Sequence, residues 1–351
     1  VATHLLSATH RDDFVTKTWA DQEELRRSRG ERRVQLLPLA ESRARGVRVD
    51  GPARRPSVVG TREVRASVAE LRKWIDWTPF FHAWELRGTY PKLLDDERQG
   101  EHARRLFADA QQMLDRVERE GWLDCTGVVG FFPANRRGDD VVVWTDESRR
   151  AVRTTFHTLR QQAAHLERCR ALADFLASEE AGVDWLGGFA VTAGKGIDVP
   201  LARFAALHDD YDGILLKAVA DRLAEAFAEW LHREVRRSLW GYAPEEDLPL
   251  EDLVKERYDG IRPAPGYPAQ PDHTEKRTLW SLLDVEARAG IQLTESCAMW
   301  PAASVSGLYF ARPEAQYFGV GTIGADQLAD YAERKGWDAE TAERWLSSVL
   351  H

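Results

Sequence analysis

The sequence predicts an α+β fold, and three observations carry that prediction. Long helical patterns run over about 95–121 and 212–240. Strand-like runs stand between them, at 127–133, 140–145 and 185–192. Helical and strand text do not alternate regularly, which argues against a doubly wound parallel sheet. At 351 residues, with 43% hydrophobic and 30% charged, the chain has room for one large domain plus an appendage.

Taken in order, residues 11–30 (RDDFVTKTWADQEELRRSRG) are mostly polar helix formers, with Gly30 as a stop signal. Residues 45–60 (RGVRVDGPARRPSVVG) hold two Pro and three Gly without a steady period and read as a linker. This places a domain boundary near 60, with residues 61–351 as the body. Helix-like text begins at Thr61-Arg62-Glu63-Val64, where Val64, Val68, Leu71 and Ile75 fall at helical spacing. Pro79 and a short aromatic run precede the first long helix. The strands at 127–133 and 140–145 are joined by the turn text Asn135-Arg136-Arg137-Gly138. In the second long helix Leu216, Val219, Leu223, Phe227 and Trp230 form the apolar stripe that faces a core. Lys217, Asp221, Glu225, Glu229 and Arg233 form an i,i+4 row on another face. That row is either a salt-bridge-laced surface or a carboxylate wall facing a cation. Residues 293–323 return to strand and turn text, and about 324–348 form a final helix.

Charge and cysteine usage exclude several functions. Residues 1–74 carry 16 Lys+Arg against 10 Asp+Glu, whereas the remainder carries 32 against 47. The acidic body argues against non-specific nucleic-acid binding, and the basic segment lacks interleaved aromatics. No run of about 18 apolar residues is present to span a membrane, and charges occupy residues 1–20 where a secretory signal would be apolar. Cys125, Cys169 and Cys297 form neither a disulfide framework nor a CxxC knuckle, which points to free thiols in a reducing cytoplasm. The ten histidines include no HExxH, so no self-contained zinc site is expected. The opening Val1, without an initiator Met, suggests a piece of a longer protein.

One motif is a decoy. Gly319-Val320-Gly321-Thr322-Ile323-Gly324 matches GxGxxG, with strand-like text before it and a helix after it. Only 27 residues follow Gly324, too few for a returning strand and the acidic residue that would bind a ribose. Val320–Ile323 reads instead as strand interior.

Two stretches carry chemistry. In Arg262–Pro268, three prolines and a glycine make a stiff, extended loop that fixes the directions of Arg262 and Tyr267. Such a loop is either a structural connector with a surface Arg, or a platform offering a guanidinium to a carboxylate. In WIDWTPFF (74–81), Asp76 either caps the helix begun by Pro79 or offers a half-buried carboxylate to an ammonium group.

Five motifs, WIDWTPFF, GFFPANRRGDDV (130–141), HDDYDGILLKAVADRLAEAFAEWLHREVR (208–236), GIRPAPGYPAQPDHTEK (260–276) and TESCAMWPAASVSGLYF (294–310), occur in order from about residue 61. Together they resemble the C-terminal activation domain of cobalamin-dependent methionine synthase. Residues 1–30 resemble the tail that follows that family's cobalamin domain. Two departures stand out: VDGPARRPSVVG replaces a Trp- and Pro-rich linker, which leaves the linker's conformation open, and Gln270 replaces a residue that is often Cys.

The resemblance implies a largely antiparallel sheet with long flanking helices, after a helical or irregular linker. It implies binding of S-adenosylmethionine. Asp76 is expected to take the ammonium, Arg262 the carboxylate, and Tyr317 and Phe318 the nucleoside, partly through backbone groups. Glu225 and Glu256 fall near the sulfonium, which favours the wall reading for Glu225 but not for its neighbours in the row. Tyr267 is expected to project over cobalamin held by another domain of the same enzyme. The implied task is reductive remethylation of cob(II)alamin, with flavodoxin or a similar donor supplying the electron. That task maintains methyl transfer from methyltetrahydrofolate to homocysteine, and zinc belongs to the homocysteine domain alone. The displacement needs no general base, so the protein's part is positioning and charge placement. A non-catalytic module that senses S-adenosylmethionine and docks partners is the alternative. In either case the fragment is not expected to turn over alone.

Overall fold

Two strands with near-continuous apolar text set the architecture. β2 (Asp124–Arg137) and β5 (Asp184–Lys195) are buried along almost their whole length, because helices cover both faces of the sheet. The computed structural model describes residues 11–31, 34–49, 51 and 53–350. β2 and β5 pair with each other, and β8 (Ser304–Tyr309) pairs with the far side of β5. On the other edge of β2, β1 (Gly60–Arg65) lies beside Thr126–Phe131 and β3 (Asp140–Trp144) beside Ala134–Arg137. β4 (Val152–His157) completes the sheet beyond β3, and every pairing is antiparallel. A short hairpin, β6 (Gln292–Leu293) with β7 (Met299–Trp300), stands apart.

Alternate residues of the strands feed two cores. Val129, Phe131, Phe189, Val191 and Tyr309 pack with the long helices Gly100–Glu120 and Asp210–Glu234. Val128, Phe132, Leu186, Ala190 and Leu308 pack under the helices Glu275–Leu283 and Ala325–Lys335. Helix Glu275–Leu283 sits close on the sheet because Gly130 and Gly188 lie beneath it. A Cβ there would come within 2.7 Å of Leu283 and 2.8 Å of Leu279 respectively.

The α+β class and the antiparallel sheet are as expected, and four local readings change. Thr61–Val64 is strand, not helix: β1 gains its ladder from β2, and this non-local pairing overrides the text's helical spacing. The hairpin turn is Gly138-Asp139, with Gly138 at φ +64°, so Asn135–Arg137 continue β2. The final helix breaks in two at Gly336, whose φ of +65° ends Ala325–Lys335 before Ala339–Leu346 begins. Val320–Ile323 is an extended segment with one bridge, Ile323 to Leu350, rather than strand interior.

Other boundaries shift less. The first long helix begins at Gly100, after a 3₁₀ turn at Lys92–Asp95. The second runs over Asp210–Glu234 and widens into a π turn at Val235–Leu239. Helix Arg11–Glu31 agrees with the reading of 11–30, whereas residues 1–10 lie outside the described residues. Cys125, Cys169 and Cys297 are free and buried. Among the described residues, no helix is long and apolar enough to cross a membrane.

Candidate functional site

The Pro-rich loop is pinned to the exposed edge of β8. Ile261 and Phe310 exchange backbone hydrogen bonds of 2.9 and 3.1 Å, and Leu308 N donates to Pro263 O at 2.8 Å. The loop then folds on itself, Gly266 N donating to Gln270 O at 2.7 Å, and Gln270 Nε2 ties it to the His157 carbonyl at 2.6 Å. Proline fixes φ at 263, 265 and 268, next to Arg262 and Tyr267, so both side chains leave the loop in set directions. Arg262 turns inward toward the long helix, and Tyr267 stands 58% exposed at the rim.

A cavity of about 570 Å³ opens between the loop, the long helix and β8, lined by Glu225, Glu256, Arg262, Tyr267, Lys276 and Tyr317 among others. A second, of about 400 Å³, shares Glu256, Arg262 and Tyr317 with it, so the two form one cleft. Arg262 Nη2 donates to Glu229 Oε1 at 2.5 Å, but among the described residues its buried Nη1 has no partner. Burial works against the Arg262 charge, yet Glu229, with Tyr258 and Tyr309, outweighs it and holds the guanidinium above its ordinary value. One turn earlier on the helix, burial pushes the Glu225 carboxyl up, partly offset by Arg262 and Arg222. Ser306 Oγ, on the β8 floor, is likewise buried and unpartnered among the described residues.

Below Arg262, His232 is fully buried between Tyr309, stacked at 5.0 Å, and Tyr258, edge-on at 4.8 Å. Burial and the charges of Arg236 and Arg262 hold its pKa well below the usual histidine range. A neutral imidazole therefore backs the arginine and adds no competing charge.

Five of the seven residues expected from the sequence converge on this cleft: Glu225, Glu256, Arg262, Tyr267 and Tyr317. Phe318 does not line either cavity. Its ring is buried in the second core, edge-on to Phe175 at 6.1 Å. Asp76 is not on the cleft wall either. It is not the helix N-cap, which is Trp77. Its Oδ1 accepts from Thr78 N at 3.0 Å, two residues on, and its segment lies along the long helix where Arg233 sits 5.5 Å over the Trp74 ring. The helical row also resolves differently from expectation. Glu229, set aside on the sequence, is the ion partner of Arg262, and no ion pair joins consecutive members of the row among the described residues.

Sequence reasoning passed over Lys276, His273 and Ser306. The first two were visible only as the tail of PDHTEK, where an i,i+3 His–Lys pair at a helix start carries no distinctive signal. Among the described residues, no group of His, Cys, Asp and Glu is arranged to hold a metal ion. What the cleft offers is an unsatisfied guanidinium donor, two carboxylates and aromatic rims. Those groups suit a ligand bearing a carboxylate and a cation.

Residues 67–336 match the family described as vitamin B12 dependent methionine synthase, activation domain. A crystal structure of the MetH reactivation domain bound to AdoHcy is 50% identical in sequence, with a TM-score of 0.88, over 90% of this chain and 98% of that one.

Proposed function

Because the chain belongs to the activation-domain family of vitamin B12-dependent methionine synthase, we propose that its cleft binds S-adenosylmethionine and the demethylated product. The observation that carries this reading is the buried, unpartnered Nη1 of Arg262, which borders a cavity of about 570 Å³. A buried donor left unsatisfied is costly, and a ligand carboxylate oxygen would remove that cost. The solved relative at 50% identity holds AdoHcy, a ligand with such a carboxylate.

The other residues take roles by charge and shape. Glu225, partly buried, and Glu256, exposed at the rim, flank the sulfonium and attract its positive charge. The Tyr317 ring supports the nucleoside, with Phe318 contributing through its backbone because its side chain is in the core. For Asp76, off the cleft wall, the ammonium role rests on the family resemblance and would use its second carboxylate oxygen, since Oδ1 is committed to Thr78.

This domain would act in reductive remethylation, with cobalamin held by another domain of the same enzyme and an electron from flavodoxin or a similar donor. Cobalamin, when bound there, supplies the nucleophile that takes the sulfonium methyl. The chain's own residues orient the ligand, balance its charge and present Tyr267 at the docking rim. We assign residues 61–351 to this role in the cytoplasm and residues 1–60 to the cobalamin-domain tail and linker. Calorimetric titration with S-adenosylmethionine tests the reading. Saturable one-to-one binding, weakened at least tenfold in Arg262→Ala, is expected. A folded wild-type chain that takes up no ligand would overturn it.

A further inference from the structure

Lys276 is a buried cation without an anion. It lies in the first turn of helix Glu275–Leu283, is 6% exposed and lines the same cavity as Arg262. Its Nζ meets His273 Nδ1 at 3.1 Å and donates to the Cys297 carbonyl at 3.1 Å. An ammonium has three N–H donors, so one is left over. No carboxylate lies within ion-pair distance of it among the described residues. Lys335, which meets the same loop, shows the contrast: Asp272 and Glu275 hold it at 3.2 and 2.6 Å.

The surroundings fix this ammonium in place. Gly266, at φ +92°, lies flat on the His273 ring, and a Cβ there would come within 2.3 Å of it. Cys297 stands at φ +63°, closing a turn in which its N donates to Thr294 O at 2.9 Å and its carbonyl meets Lys276. Burial lowers the Lys276 pKa, as expected for a charge whose counter-ion is missing. Ser296, Ser304 and Ser306 line the same cavity with hydroxyl groups.

We propose that Lys276, oriented by His273 and the Cys297 carbonyl, forms a carboxylate-binding subsite at the His273–Cys297 part of the cavity. Glu229 already neutralises Arg262, so Arg262 offers a hydrogen bond, whereas Lys276 offers net charge. The carboxylate comes either from the S-adenosyl ligand or from a separate molecule sharing the cavity. Only the first source rests on the function proposed above.

Two measurements decide the matter. The chain has eight lysines, few enough for lysine-selective isotope labelling, with Lys276 assigned by its loss in Lys276→Met or Lys276→Arg. Acetate added to the wild-type chain should shift the Lys276 side-chain signal saturably and raise its pKa, leaving Lys335 unmoved. No response at Lys276 overturns the proposal. In the second measurement, Lys276→Met is titrated with S-adenosylmethionine and with its decarboxylated analogue. A loss of about tenfold or more for the first ligand alone assigns the carboxylate to the S-adenosyl ligand. Unchanged affinity for both, with the acetate response intact, assigns it to a separate molecule. Equal losses for both ligands overturn the subsite, because Lys276 would then act only as scaffold. An acetate response in a wild-type chain that binds no S-adenosylmethionine sinks the proposed function and leaves the subsite standing.

Discussion

Two buried arginines sit in this molecule in opposite states of satisfaction. Arg160 is 3% exposed, and all three of its guanidinium nitrogens are engaged. Nε and Nη2 donate to Asp139 at 2.8 and 2.5 Å, Nη1 and Nη2 to Asp174 at 2.6 and 2.7 Å, and Nη1 also to the Cys169 carbonyl at 2.6 Å. Gly46 of the linker lies against it, and Val47 N donates to Asp174 at 3.2 Å. Among the described residues Arg262 makes one hydrogen bond and leaves a buried nitrogen open beside a cavity. A saturated buried ion cluster fixes one arrangement of chain. An unsaturated one is poised for something that arrives later.

The widest separation between the two should come from breaking each. Arg160→Met leaves Asp139 with Arg43 at 2.7 Å, and Asp174 with Arg136 at 3.5 Å and two backbone donors. Two buried carboxylates thus lose their main partner, and a loss of about 3 kcal/mol in unfolding free energy is expected. Denaturant titration measures it, and S-adenosylmethionine affinity of the surviving folded protein should match wild type. Loss of affinity at Arg160 equal to that at Arg262 would break the comparison.

At Arg262 the order of effects reverses, with affinity lost before stability. Arg262→Met leaves Glu229 half-buried and alone, so some destabilisation is unavoidable. Adding Glu229→Gln removes the stranded charge and should restore about 1–2 kcal/mol of stability without restoring binding. A double variant that regained the ligand would show that Arg262 serves the fold and not the site.

Why one half of this contrast could be read from sequence and the other could not is a matter of chain distance. The stiff loop around Arg262 advertised itself through its prolines, and the motif resemblance supplied Glu225, Glu256, Tyr267 and Tyr317. Its partner Glu229 lies 33 residues away on a helix, and nothing in a five-member charged row marks which carboxylate faces a guanidinium. The Asp139–Arg160–Asp174 cluster was likewise invisible, since it joins a hairpin turn to a loop and a 3₁₀ turn at Leu172–Phe175. The same limit explains β1. GTREVR is a reasonable helix start by itself, and only the neighbouring β2 makes it strand. Gly336 was plain in the text as a helix stop, but continuous helical spacing on both sides masked the break.

A smaller effect should follow pH. Burial raises the Glu225 carboxyl above the ordinary glutamate value, so it takes up a proton earlier on acidification than an exposed glutamate does. The sign for stability follows from the same shift. Any stabilisation from the protonated form is present below the unfolded value and lost as pH rises through the folded one. For binding, the protonated form no longer attracts a sulfonium. Affinity should therefore fall several-fold as pH drops through the raised value, and Glu225→Gln should flatten that dependence. Calorimetry across pH 5 to 8 checks both. A dependence that persists in Glu225→Gln assigns the titration to another group.

The smallest expected effect tests whether Asp76 belongs to the site at all. Its Oδ1 accepts from Thr78 N at 3.0 Å, a bond that Asp76→Asn keeps because the amide oxygen can occupy the same place. The substitution removes only the charge, so stability should change by less than about 0.5 kcal/mol. If the second oxygen meets the ligand ammonium, affinity for S-adenosylmethionine should fall a few-fold while affinity for 5′-methylthioadenosine, which lacks the amino-acid group, stays as in wild type. Equal affinity for both ligands in Asp76→Asn and wild type would leave Asp76 only its local bond to Thr78 N. The ammonium would then fall to carboxylates already on the cleft wall, Glu225 or Glu256, and the site would be confined to the long helix, the Pro-rich loop and the β8 edge.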